Sequence, residues 1–207
     1  MRYFYALIMI LVLLSGCTDR GEHKNQVKYT FSDQNGQTFQ IQSDFDTLHR
    51  HTQDLKENDN VTFIMFLDLA SSDAKDYILH INHLKLTFPK ADILGILTQP
   101  YSPEEIKDYI QANNVDFTLL NPKDSKNIFN DFAKKVQKNG VLKNTAQEAK
   151  ESEENAPKEQ NAEEQKLSLK IPYFVLYDKS GKKYQTYSGV VMEEMFAYDI
   201  NTLLKTH

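Results

Sequence analysis

Val61-Thr62-Phe63-Ile64-Met65-Phe66-Leu67-Asp68-Leu69, followed by Ala70-Ser71-Ser72-Asp73-Ala74-Lys75, is the stretch that decides the fold. A run this continuously apolar offers no polar face to water, so it reads as a strand covered on both sides. The serines and aspartate that follow suit a helix start. Their oxygens accept from the free N–H groups of the first turn, and the negative charge sits at the positive end of the helix dipole.

Working outward, Asp76 to Phe88 places Tyr77, Ile78, Ile81, Leu84 and Phe88 on one helical face, closed by Pro89. Asp92 to Leu97 is a second buried strand. Ser102-Pro103-Glu104-Glu105 combines a serine N-cap, proline at N1 and glutamate at N3, and Ile106, Tyr109 and Ile110 give that helix its apolar side. Val115 to Leu120 reads as a short strand, and Ile128, Phe129, Phe132 and Val136 mark a further helix. Strands alternating with helices predict a three-layer α/β fold. Tyr173 to Tyr177 and Lys183 to Ser188 flank Asp178-Lys179-Ser180-Gly181 as a hairpin, and Met192 to Leu204 closes the chain as a helix, so the sheet is mixed.

Before the central strand, Lys28 to Phe31 and Gln37 to Ile41 form a second hairpin, turning at Asn35-Gly36. Asp44 to Lys56 is expected to be a helix. Residues 139–170 are rich in Glu, Lys, Gln, Asn and Ala and nearly lack large apolar side chains until Leu167. Such a segment buries too little surface to offset its ordering entropy, so a charged, mobile insertion is expected, with a solvated helix broken at Pro157 as the competing picture.

The N-terminus has the layout of an export signal: Arg2, an apolar stretch from Tyr3 to Leu14, then Ser15-Gly16-Cys17. About 12 apolar residues rise only ~18 Å as a helix against roughly 30 Å of hydrocarbon, too short for a comfortable membrane anchor. Leu14-Ser15-Gly16-Cys17 looks like a lipobox. The expectation is a lipoprotein signal over 1–16, fatty acylation (palmitate class) at Cys17, and a polar tether to residue 27, with the domain over 28–207. That places the protein at the bacterial cell envelope, lipid-anchored and facing the periplasm.

Cys17 is the single cysteine of the 207 residues, so no internal disulfide can form. With 24 Lys and Arg against 29 Asp and Glu the net charge is −5, and the lysines are scattered, which argues against nucleic-acid binding. No cofactor motif is present.

The order of these elements, together with Ser71-Ser72-Asp73-Ala74-Lys75 at a helix start and Ile171-Pro172-Tyr173-Phe174-Val175-Leu176-Tyr177-Asp178-Lys179-Ser180-Gly181-Lys182, resembles membrane-anchored thioredoxin-like proteins of the TlpA type. The resemblance spans roughly residues 28–204, the charged insertion excepted. It implies a thioredoxin-like fold with an N-terminal β-hairpin extension. It also implies a cis peptide at Ile171-Pro172, although an X-Pro bond taken alone favours trans. In that family a Cys-x-x-Cys pair stands at the helix start, and here Ser71 and Ala74 occupy those two positions. Disulfide exchange needs a thiolate to attack and a second thiol to resolve the mixed disulfide. Neither residue supplies one, so the expectation is a domain without redox catalysis.

Ser71, Ser72 and Asp73 are sufficiently explained as capping residues, and Ser72-Asp73-Ala74-Lys75 matches Ser-x-x-Lys without the companion elements of penicillin-binding enzymes. His80 and His83, at i,i+3, could share a helix face, whereas His49 and His51 could not; neither pair makes a metal site by itself. Asn60-Val61-Thr62 is a glycosylation triplet running into a buried strand and is discounted. What remains is a binding role, with Ser71, Ser72, Asp73, Ala74, Ile171 and Pro172 as the candidate contact face for a periplasmic protein or peptide. The rival reading is an accessory in thiol-disulfide or cytochrome c maturation that presents substrates without doing the redox step. A third is a structural envelope protein that makes contact through its 139–170 insertion.

Overall fold

The computed structural model describes residues 26–51, 60–148 and 169–206. Cys17, the proposed signal and tether up to residue 25, and residues 149–168 of the charged segment lie outside them.

The central strand is β4 (Thr62–Leu67), buried at every position. Its side chains alternate between two cores, as the period of a strand requires. Val61, Phe63, Met65 and Leu67 face one cluster, while Ile64 and Phe66 face the other. Beside β4 lie β5 (Asp92–Leu97) in parallel and β7 (Tyr173–Tyr177) antiparallel. β6 (Thr118–Pro122) continues the parallel set, and β8 (Lys183–Ser188) pairs antiparallel with β7. The N-terminal hairpin, β1 (Val27–Asp33) and β2 (Thr38–Ser43), joins through β1 antiparallel to β6. With β3 (Leu48–His51) the order is β3-β2-β1-β6-β5-β4-β7-β8. Thr118–Pro122 starts later than expected because the N–H groups of Val115 and Asp116 bond to Ile110 and to the Asn82 side chain instead.

Helices cover both faces. On the first lie α1 (Ser72–Asp76), α2 (Ile78–Thr87), α3 (Pro103–Asn113) and α5 (Glu193–Lys205). They contribute Ala74, Ile78, Ile81, Leu84, Ile106, Tyr109, Phe196 and Ile200 to the first core. α3 starts with the expected capping box, in which Ser102 accepts from Glu105 N–H and Glu105 accepts from Ser102 N–H. On the second face, α4 (Ile128–Glu148) buries Ile128, Phe129 and Phe132. Its backbone continues through residues 139–148, so the charged segment begins as helix.

One expectation fails: Asp44 to Lys56 is not a helix. Asp44 Oδ1 accepts from both the N–H and the hydroxyl of Thr47, at 2.8 Å each, and Asp44 N–H donates to Thr47 C=O. This closes a turn in which Phe45 adopts φ +79. The chain then returns as β3, antiparallel to β2. Burial drives the choice, since Phe45 and Leu48 both enter the second core and Phe45 stacks edge-on to Phe132 at 4.9 Å. The Asp44 carboxylate, bonded to the N–H and hydroxyl of Thr47, offers the local backbone an alternative to continued helix. Arg50 then pairs with Asp92 across the sheet. Residues 52–56 of the expected helix lie outside the described residues.

Candidate functional site

The loop leaving β4 is set by Asp68. Its carboxylate accepts from Ala70 N–H at 2.8 Å and from the Tyr101 hydroxyl at 2.7 Å, and its carbonyl accepts from Ser71 N–H at 3.0 Å. Ser71 is thereby placed as the N-cap of α1, where its hydroxyl accepts from Ala74 N–H. Ser72 and Asp73 are exposed, and Ala74 is fully buried.

On the adjoining edge the Ile171-Pro172 bond is cis. Asp73, Ile171 and Pro172 line one cleft of about 550 Å³, closed on its far side by the β8–α5 loop, Gly189 to Met192, and by Glu193 and Glu194. Of the residues expected from the sequence, these three come together there, while Ser71, Ser72 and Ala74 do not line it.

Two devices missed in the sequence hold the far wall. The Tyr77 hydroxyl donates to Gly189 C=O at 3.0 Å and accepts from Val191 N–H at 2.9 Å, so one phenol at the α1–α2 junction ties down the loop. The His80 and His83 Nδ1 atoms take separate oxygens of Glu193, His80 at 2.8 Å. The i,i+3 spacing of the histidines was legible, but their common partner is more than a hundred residues away. Burial pushes the Glu193 carboxyl up, but the hydrogen bonds from the two imidazoles outweigh it and hold the carboxyl below its ordinary value.

Two expected results follow. Removing the phenolic oxygen in Tyr77→Phe leaves Gly189 C=O and Val191 N–H without their partner, so stability should fall by about 1–3 kcal/mol. Amide exchange should also rise at residues 189–192 more than in β4; uniform exchange would show that the phenol does not pin the loop. Glu193 has a depressed folded value, so its stabilisation is present above the unfolded glutamate value of about 4.3 and is lost as pH falls through the folded one. Glu193→Gln should therefore lose less stability than the parent over that acid window in a pH series of denaturation midpoints.

Chemically, the cleft presents carboxylates, an imidazole and apolar surface. His80 is oriented by Glu193 as a general base would be, yet no hydroxyl is hydrogen-bonded to His80 among the described residues. No group of three or more His, Cys, Asp or Glu side chains among the described residues is arranged to hold a metal ion. No described helix is long and apolar enough to cross a membrane.

No protein-family model matches the chain, and no curated protein matches it either. Solved structures do. A thiol:disulfide interchange protein of the thioredoxin family from Chlorobium tepidum TLS aligns over 86% of this chain and 93% of its own, at TM-score 0.51 and 10% identity. BsSco, a member of the Sco family of cytochrome c oxidase assembly proteins, aligns over 87% of this chain and 94% of its own, at TM-score 0.50 and 14% identity. The fold is thioredoxin-like. Within that thioredoxin-like frame, the cleft lies where the α1 N-terminus meets the loop preceding β7.

Proposed function

We propose that this chain is a lipid-anchored envelope protein whose thioredoxin-like domain binds a protein or peptide partner through this cleft without redox turnover. The observation that carries the reading is the cleft itself: a formed groove between α1, Ile171-Pro172 and a pinned β8–α5 loop, with serine and alanine at positions 71 and 74. An extended segment laid along Ile171 could pair with its backbone just before β7 begins, since Ile171 makes no hydrogen bond among the described residues. The anchor reading rests on Cys17 closing a short apolar segment, and acyl labelling of the native chain but not of Cys17→Ala tests it.

The docking reading is tested by a photocrosslinker placed at Val190 in intact cells, compared with one at Glu104. A discrete adduct from 190 alone, lost when Ile171→Asp is added, is the expected result. Equal adducts from both positions, or one indifferent to Ile171, would overturn it. The likeness in fold to BsSco, a member of a family of cytochrome c oxidase assembly proteins, favours one second reading. Here the bound partner is a cysteine-bearing substrate held non-covalently for a separate oxidoreductase.

A further inference from the structure

The docking cleft carries a sign as well as a shape. Asp73 and Asp76 of α1 line it from one side and Glu194 of α5 from the other. None of the three forms an ion pair among the described residues, whereas Glu193 is taken up by His80 and His83. Lys170 is the one lysine or arginine in the lining among the described residues. Beside these carboxylates stand apolar side chains with no cover: Val190 is 98% exposed and Met192 65% exposed, and both line the cleft. Unpaired charge that is mainly negative, three carboxylates against Lys170, next to uncovered apolar surface is the pattern of a binding groove.

We propose that the cleft takes an extended cationic segment of a partner protein, one in which lysine or arginine alternates with apolar residues. This rests on the docking reading above and names the class of partner. Successive side chains of an extended segment point to opposite sides. Laid along Ile171, one set meets Asp73 and Asp76 on the α1 side, and the other packs on Val190 and Met192 of the far wall, where Glu194 adds to the negative charge. The carboxylates also raise the encounter rate with a cationic partner and disfavour an acidic one.

The test uses the full chain and three fluorescein-labelled peptides in which valine alternates with lysine, glutamate or serine, read by fluorescence anisotropy. The lysine peptide should bind at least about tenfold more tightly than either of the others, and its affinity should fall as salt rises. The double substitution Asp73→Lys, Glu194→Lys, at two surface positions, should cut lysine-peptide affinity about tenfold and improve glutamate-peptide binding, with an unchanged circular dichroism spectrum as the folding control. Equal binding of the three peptides, all weakened by Val190→Asp, would overturn the charge preference while the docking reading stood. Binding of none, or lysine-peptide binding unmoved by the double substitution, overturns the proposal, and the crosslink at 190 then decides docking by itself.

Discussion

Replacing Phe196 with alanine is expected to destabilise the protein by about 3–5 kcal/mol, the range for emptying a fully buried aromatic site. Phe196 is 0% exposed. Its ring lies 4.9 Å from Phe174, 5.0 Å from Phe63 and 5.0 Å from Tyr187 between centroids, so it joins β4, β7 and β8 to α5. Aromatic pairs at such separations add to the area buried. The position also supports the cleft, because Glu193 and Glu194 begin the same helix and Tyr77 lies 6.5 Å from the Phe196 ring. Urea denaturation of Phe196→Ala measures the loss, with Tyr198→Ala, 72% exposed on the same helix, expected to stay within about 0.5 kcal/mol. A loss below about 1 kcal/mol at Phe196 would contradict the packing described.

The second large effect is at Gly181. Its φ is +78, a region that costs an L side chain roughly 1–2 kcal/mol. A Cβ there would stand 2.2 Å from the Leu48 carbonyl oxygen, closer than any non-bonded contact allows. Neither side can yield easily, since Gly181 N–H donates to Asp178 C=O at 3.0 Å and Gly181 C=O accepts from Leu48 N–H at 2.8 Å. Gly181→Ala must either break that bond between the β7–β8 turn and β3 or displace buried Leu48. A total of about 3 kcal/mol or more is expected once strain and the lost bond are combined. Gly36 is the control: its φ is +81, but nothing lies within 4 Å of its Cβ position. Gly36→Ala should show the conformational cost alone, about 1–2 kcal/mol. Equal losses at the two glycines would mean that the contact with Leu48 is not what constrains position 181.

Legibility in the sequence followed the range of the interactions. β4 and both hairpins could be read because a doubly buried strand is continuously apolar and Asn35-Gly36 and Ser180-Gly181 announce their turns locally. The α3 capping box is complete within four residues. β3 was misread because its strand character comes from Phe45 and Leu48 reaching a distant core, while the local signal, Asp44 bonding Thr47, is two polar residues in a polar stretch. The cleft was half legible: Asp73, Ile171 and Pro172 stood out, but its far wall depends on a phenol and two imidazoles meeting residues 189–193. Nothing in Tyr77 as a letter distinguishes a core aromatic from one whose hydroxyl ties down a loop.

Reduction of a model disulfide with dithiothreitol as the reductant tests whether the thioredoxin-like domain lacks redox turnover, as proposed. Three chains are compared, all with Cys17→Ser: the otherwise native protein, Ser71→Cys alone, and Ser71→Cys with Ala74→Cys. Ser71 stands at a helix N-terminus that favours a thiolate, with Ala74 on the first turn beneath it. The expected result is no turnover above dithiothreitol alone for the first chain, and a gain for the double cysteine that the single one does not match. Turnover by the native side chains, or a folded double-cysteine chain that forms no 71–74 disulfide, would contradict it.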